Sequence, residues 1–477
     1  MRFGTRWVSE FLLRNPARLL WRSISLSTIA VLTMHAQGGD RSNIVGLGMA
    51  RTSAVTSRGV DAIGINPANL ATPGSPSFSL TALPFGVRLG TDFLNYGLYR
   101  QYLTGVSTDS GTVGYYLTDK DKEKILSGFS SGVGTINGDM GLKLVSVSIY
   151  GSGLGGLGLG ITERVGGNGV LSEDYLRFLF YGNSPGQTLD FADTKVRAWW
   201  LRDYSLSYAV SFENAFGLNL LAFGITGKYV TGFGYFDLEE TNTSFTTSYQ
   251  NVVTGHAQYL SRRAGTDFLS SGEGSSFALF PAPAGTGWGL DFGMHARVSS
   301  FLSFGASVTD IGSLQWTHNA RERRANGNFI IDDVFSKSQQ DSLENVVKGT
   351  DQKISGFETQ LPTAAHIGIA LQLGQPEFAE NLPNALLAFE YTQGFNEMPG
   401  NSTKPRLSAG IELRLISWLP LRSGISVGGA DQKSWAFGLG LHLGPLALDA
   451  ATEDILSVLR PNQASRVSAG IGLRLSF

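Results

Sequence analysis

The chain ends on Val467-Ser-Ala-Gly-Ile-Gly-Leu-Arg-Leu-Ser-Phe477. Val467, Ala469, Ile471, Leu473, Leu475 and Phe477 fall on one face, and Ser468, Gly470, Gly472, Arg474 and Ser476 on the other. Strict alternation of this length predicts a strand with one apolar face and one polar or very small face. Upstream the pattern recurs in Trp435–Leu443, Leu407–Leu415 and Trp288–Val298. Weaker versions run through 76–89, 139–150, 153–163, 199–212, 218–233, 235–249, 301–312, 362–373, 384–394, 419–429 and 445–452. These stretches are long beside the ~5–6 residues of a globular strand. They match the ~9–11 residues that a tilted strand needs to cross a bilayer.

Inside a bilayer every backbone polar group must be paired, which leaves helices and closed barrels as spanning structures. No stretch has the apolar length of a spanning helix. The expected fold is therefore all-β: a transmembrane antiparallel β-barrel, apolar outside and polar inside, over residues 76–477. Single-chain bacterial barrels use even strand numbers, and about 14 is expected here, with 12 and 16 as alternatives. A pair of soluble β-sandwiches would also alternate. Strand length, glycine content and the terminal aromatic residue all oppose that reading.

Composition agrees. The chain holds 61 Gly in 477 residues, almost twice the ordinary ~7%, and its 16% charged residues fall well below the usual ~25%. The glycines follow no collagen period, and an apolar content of 42% is too high for a disordered chain. With no Cys there is no disulfide framework, thiolate metal site or cysteine nucleophile. A net charge of −2 gives no sign of a nucleic-acid partner.

Residues 1–36 read as a cleaved secretory signal. Arg2, Arg6, Arg14, Arg18 and Arg22 precede the apolar run Ile24–Met34, and the cut is expected after Ala36. About 11 apolar residues cannot span a membrane as a helix, which argues against an anchor. Helical inserts are expected near 119–131, at 172–181 behind Ser172-Glu-Asp, and at 336–348, where Ser336 and Gln339 have capping-box spacing.

Residues 37–75 form a different kind of segment, rich in Gly and Ala and ending in Asn66-Pro67-Ala68. Pro67 fixes its own φ and pushes Asn66 out of the α region, so this is a compact turn. Gly46-Leu-Gly-Met-Ala50, the Asn66-Pro67-Ala68 turn, and the long strands running to Phe477 together resemble the FadL-type family of outer-membrane transporters for hydrophobic compounds. The resemblance implies an N-terminal hatch inside a 14-stranded barrel, an outer-membrane location, contact with outer-membrane lipid, and a hydrophobic small-molecule ligand. It extends to PorV-like barrels of type IX secretion, which implies as an alternative the binding of secreted proteins or a secretion translocon. Gly287–Gly293 and Asp310–Trp316 also look like a barrel group of unassigned role. The final aromatic Phe477 resembles the signal read by the barrel-assembly machinery.

Among chemical motifs, Gly151–Gly156 matches the dinucleotide pattern GxGxxG, but it continues as strand-like Leu157-Gly-Leu-Gly-Ile161. Gly128-Phe-Ser130-Ser-Gly132 matches GxSxG without the strand–turn–helix setting that a nucleophile needs. No histidines have metal-ligand spacing, so neither an enzyme nor a cofactor or metal is expected. Asp291, His295, Arg297, Glu390, Glu412, Arg414, Arg422 and Arg474 have the parity of the inner face. Glu390, Glu412 and Arg422 would form an ionic ladder along the wall. Such a lining would neutralise itself, or would orient an amphipathic cargo. Phe277, Leu279, Phe280, Pro281 and Pro283 would form an apolar loop.

Overall fold

The structure is a computed structural model that describes residues 41–108, 111–265, 281–333, 335–375 and 383–477. The signal segment 1–36, the first residues of the hatch segment (37–40), and Phe277, Leu279 and Phe280 lie outside the described residues.

A closed antiparallel barrel of 14 strands forms. In chain order these are β1 (Phe78–Ala82 continued by Phe85–Thr91), β2 (Val133–Gly151), β3 (Gly155–Ser172), β4 (Lys195–Glu213), β5 (Leu220–Glu240), β6 (Gly285–Arg297) and β7 (Leu302–Trp316). The second half comprises β8 (Ala364–Gln372), β9 (Ala385–Gly394), β10 (Arg406–Ile416), β11 (Leu419–Gly428), β12 (Gln432–Leu443), β13 (Leu446–Thr452) and β14 (Arg466–Ser476). Each strand pairs with its neighbours in sequence. β14 returns to β1 with Ser79 opposite Ser476 and Val87 opposite Ala469. Closure removes the free edge that an open sheet would expose to lipid.

Alternation settles which face is which. Leu407, Ile425, Ile367, Val467 and Ile471, each on a different strand apart from the last two, are all more than half exposed on the outside. Their neighbours Ser408, Ser426, His366 and Ser468 are buried inside. A one-residue slip would invert the whole pattern, so the apolar outer face also fixes the register. On the outer surface Tyr229 of β5 contacts Tyr204 of β4 and Trp288 of β6, aromatic residues of the kind that flank the apolar band of membrane barrels.

The two rims differ. β2–β3, β10–β11 and β12–β13 are joined by tight turns. On the opposite rim β1–β2, β3–β4, β5–β6 and β7–β8 are joined by long insertions that carry helices Asp119–Leu126, Glu173–Tyr181 and Lys337–Lys348. Ser172 Oγ accepts the Asp174 amide at the start of the second helix. The third departs from the capping-box expectation. Ser336 makes no side-chain cap, because Gln339 turns back to accept the amides of Asp332 and Asp333 instead.

The alternating stretch 235–249 is not a barrel strand of its own. Residues 235–240 prolong β5, and Ser244–Thr247 is a separate short strand. Past Gly234, β5 leaves β6 and pairs with Val253–Ala264, which pairs in turn with Arg321–Ile331. The wall is thus raised on the long-loop side by strands that do not belong to the barrel. Alternation alone does not distinguish them, because it persists wherever a strand has two unlike faces.

Candidate functional site

The segment ahead of β1 occupies the lumen. A short helix, α1 (Ile44–Gly48), is capped by Asn43, whose Oδ1 accepts the Gly46 amide at 2.9 Å. Ala50 and Arg51 take positive φ and turn the chain across the barrel. One-turn 3₁₀ helices follow at Gly59–Ala62 and Pro67–Ala71. Asn66 is fully buried in the second turn. Its Oδ1 accepts the Ala68 amide at 3.1 Å, and its Nδ2 donates to Ala54 O at 2.7 Å and to Met294 O on β6 at 3.1 Å. The turn is therefore stitched both to its own segment and to the wall.

Glycines on the inner face make room for this segment. A Cβ on Gly424 (β11) would lie 2.6 Å from the carbonyl carbon of Met49, and one on Gly305 (β7) 2.6 Å from Ala54 O. Gly224 on β5 would meet Pro67 and Ala68, and Gly156 on β3 would meet Leu70. Backbone cannot step aside at these distances, so these inward positions must be glycine. The high glycine content is in part the imprint of this contact.

Ion pairs fasten the two together. Arg41 pairs with Asp139 on β2 and, with Arg51, with Glu453 beyond β13; the Arg51 distance is 2.6 Å. Asp61 pairs with Arg474 on β14. Burial pulls the Arg41 guanidinium down to about 10 despite the opposing pull of Asp139. In the β11–β12 turn, burial would raise the Asp431 carboxyl, but Arg88, Arg466 and Arg41 outweigh it and hold it at about 2.

The inward residues singled out by parity fall into separate groups. Asp291 accepts Lys228 Nζ at 2.8 Å and the Asp310 amide at 2.8 Å; Lys228 also reaches Asp310, which Arg164 joins to Asp203. Glu390 accepts the Ala54 amide at 2.8 Å and lies 3.0 Å from His366 Nδ1. Glu412 accepts Arg422 at 2.6 Å and Arg414 at 2.7 Å, and Arg422 continues to Asp449. The single ladder of Glu390, Glu412 and Arg422 does not form. Glu390 stands opposite Ser408 and Glu412 opposite Leu386, four residues apart along the strand pair. Arg474 reaches Asp61, and half-exposed Arg414 stays at the short-turn rim. His295 is buried, and its Nδ1 donates to Asn69 Oδ1 at 2.8 Å; the amide of Asn69 is fixed by donating to Ala54 O and Ser57 Oγ. Among the described residues Arg297 donates to the carbonyls of Ser299 and Ser300.

Sequence reading missed the partners. Lys228, Asp449 and Asp139 lie at inward parity and were open to the same argument. Arg41, Arg51, Arg58 and Asp61 sit in an irregular segment where parity says nothing.

Three layers stack along the axis. On the long-loop side Trp199, Leu201, Tyr235, Leu314, Trp316 and Leu361 form a buried apolar cluster. The N-terminal segment fills the middle. On the short-turn side lies a vestibule of about 720 Å³ lined by Arg58, Asp61, Arg297, Glu412 and Arg422, among others. Of the motif matches, Gly151–Gly156 is the β2–β3 hairpin turn, and Ser130 lies in a turn after helix Asp119–Leu126, with no strand leading into it. Among the described residues no group of three His, Asp or Glu is arranged to hold a metal ion.

A family model described as a family of unknown function (DUF5723) matches residues 81–453. No curated protein matches the chain. Similar solved structures include the toluene transporter TbuX of Ralstonia pickettii, at 13% identity and a TM-score of 0.46, covering 92% of this chain and 99% of that one. The Pseudomonas putida toluene transporter TodX gives 13%, 0.43, 93% and 97%. A Pseudomonas aeruginosa FadL homologue gives 11%, 0.43, 93% and 98%.

Proposed function

We propose that this chain, which belongs to the family of unknown function DUF5723, is an outer-membrane barrel that passes hydrophobic small molecules and is closed at rest by its N-terminal segment acting as a hatch. The observation that carries the reading is the segment itself. It is wedged against glycines of opposite walls and ion-paired at both ends, so the lumen is not a free aqueous pore. The outer face fits lipid: large apolar side chains stand exposed on every strand, and the polar ones are turned inward.

The stacked interior has a matching logic. On the long-loop side the buried cluster of Trp199, Tyr235 and Trp316 gives an apolar solute an apolar partner inside the barrel. Transfer past the hatch then requires the segment to shift, because it fills the cross-section. The vestibule beyond carries Arg58, Arg297, Glu412 and Arg422 in its wall and so holds an apolar solute less well than the cluster above. Short turns face the periplasm and long insertions face outward in such barrels, which sets the direction of uptake.

The test is uptake of labelled toluene and of a labelled long-chain alkane by a deletion strain and by the same strain complemented with the intact gene. Slower uptake on deletion, restored by complementation, supports the reading. Equal uptake in both strains sinks it. So does a stoichiometric protein partner retained through purification when no solute moves, which would make the barrel a docking component for secretion.

A further inference from the structure

The vestibule on the short-turn side is electrically lopsided. The arginines of β10, β11 and β14 that line it each have an acid: Arg422 has Glu412 and Asp449, Arg414 has Glu412, and Arg474 has Asp61. Across the same vestibule stand Arg58, from the N-terminal segment, and Arg297, at the end of β6. Among the described residues neither has a carboxylate within ion-pair reach. Asp61, only three residues from Arg58, is turned away to Arg474.

Both guanidiniums are held in place by backbone carbonyls. Arg58 Nη1 donates to Val55 O at 2.6 Å and Ser57 O at 2.7 Å. Arg297 donates from Nε to Ser299 O at 3.3 Å and from Nη2 to Ser300 O at 3.4 Å. Carbonyls orient an arginine without neutralising it. Nε and Nη2 of Arg58 and Nη1 of Arg297 make no hydrogen bond among the described residues, and both side chains line the open vestibule. Ser303, opposite Arg297 on β7, lines the same wall and adds a neutral hydroxyl.

We propose that Arg58 and Arg297 form a binding site for an oxyanion, a carboxylate or phosphate group that enters from the short-turn side. Unpaired cations lining one half-buried vestibule are unfavourable unless something answers them. Burial, with Arg297 adding to it, already draws the Arg58 guanidinium down to about 10. An oxyanion between the two relieves both burdens, and the planar fork of arginine suits its paired oxygens. Because one arginine belongs to the segment and the other to the wall, the bound anion would also tie the segment to β6.

The site is independent of what crosses the barrel, so its test uses binding and not transport. The full-length barrel in a non-ionic detergent is titrated calorimetrically with inorganic phosphate, with decanoate, and with decanol as the uncharged counterpart. The same titrations are run on Arg58→Gln and Arg297→Gln, each first shown to be folded by its heat-modifiable mobility in gel electrophoresis. Saturable binding of phosphate and decanoate assigns the site to free oxyanions; binding of decanoate alone, above that of decanol, assigns it to the headgroup of an amphiphile. In either case each substitution weakens binding roughly tenfold, the loss of one charged hydrogen-bonding partner. Absence of binding by both anions, or unchanged affinity in folded Arg297→Gln, overturns the proposal. Should one variant not fold, Arg297→Lys, which keeps the charge and loses the fork, must show the weakening instead.

Discussion

Gly424 faces the lumen beneath the N-terminal segment, whereas Gly227 faces outward with open space above its missing side chain. A Cβ on Gly424 would lie 2.6 Å from the carbonyl carbon of Met49 and 2.8 Å from the amide of Ala50, whereas one on Gly227 meets nothing within 4 Å. The same mutation should therefore have opposite consequences. Gly424→Ala forces the N-terminal segment off the wall and costs about 1–3 kcal/mol, the usual penalty of overpacking. Gly227→Ala should be neutral or slightly stabilising, since alanine restricts the unfolded chain. Urea unfolding of the two variants in detergent, followed by tryptophan fluorescence, checks this. Equal midpoints would mean that the inner glycines are not there to admit the segment.

At the scale of elements, what was legible follows from what repeats. A strand announces itself every second residue, so Trp435–Leu443 and Val467–Phe477 were readable as membrane strands with an inner and an outer face. His295, Glu412 and Arg422 were assigned to the inner face by the same parity. Which inward charge meets which was not readable, because pairing depends on the shear between strands. That shear is why Glu390 meets the Ala54 amide and not Arg422. Nor was the grip on the N-terminal segment readable, since Glu453 takes two arginines some 400 residues away in sequence. That grip is testable. Glu453→Gln removes the acid that Arg41 and Arg51 share in a buried place, where breaking a charge pair costs about 3–5 kcal/mol. In planar bilayers the unaltered barrel should remain closed, and Glu453→Gln should show openings roughly tenfold more frequent, since an unplugged barrel of this size admits water. Indistinguishable current records would show that the segment is held by packing alone.

The molecule as a whole is polar along its axis in a way that its sequence order already contains. The helix-bearing insertions β1–β2, β3–β4 and β7–β8 all leave one rim and the tight turns β2–β3, β10–β11 and β12–β13 the other, the tight β11–β12 turn being the exception on the insertion rim. The raised wall built on β5 and Arg321–Ile331 therefore stands on the insertion rim, above the apolar cluster around Trp316. Barrels of this class are threaded from inside the cell, which leaves the compact rim in the periplasm and the elaborated rim outside. Because the chain contains no cysteine, single cysteines report this without background. Tyr249 lies in an exposed turn of the insertion rim and Phe216 in the β4–β5 turn of the other, at 82% and 94% exposure. In intact cells a membrane-impermeant maleimide should label Tyr249→Cys and leave Phe216→Cys untouched. After the outer membrane is permeabilised both should react. Labelling of Phe216→Cys first would invert the barrel. The Arg58–Arg297 side of the lumen would then face the medium, and the apolar cluster would guard the exit in place of the entrance.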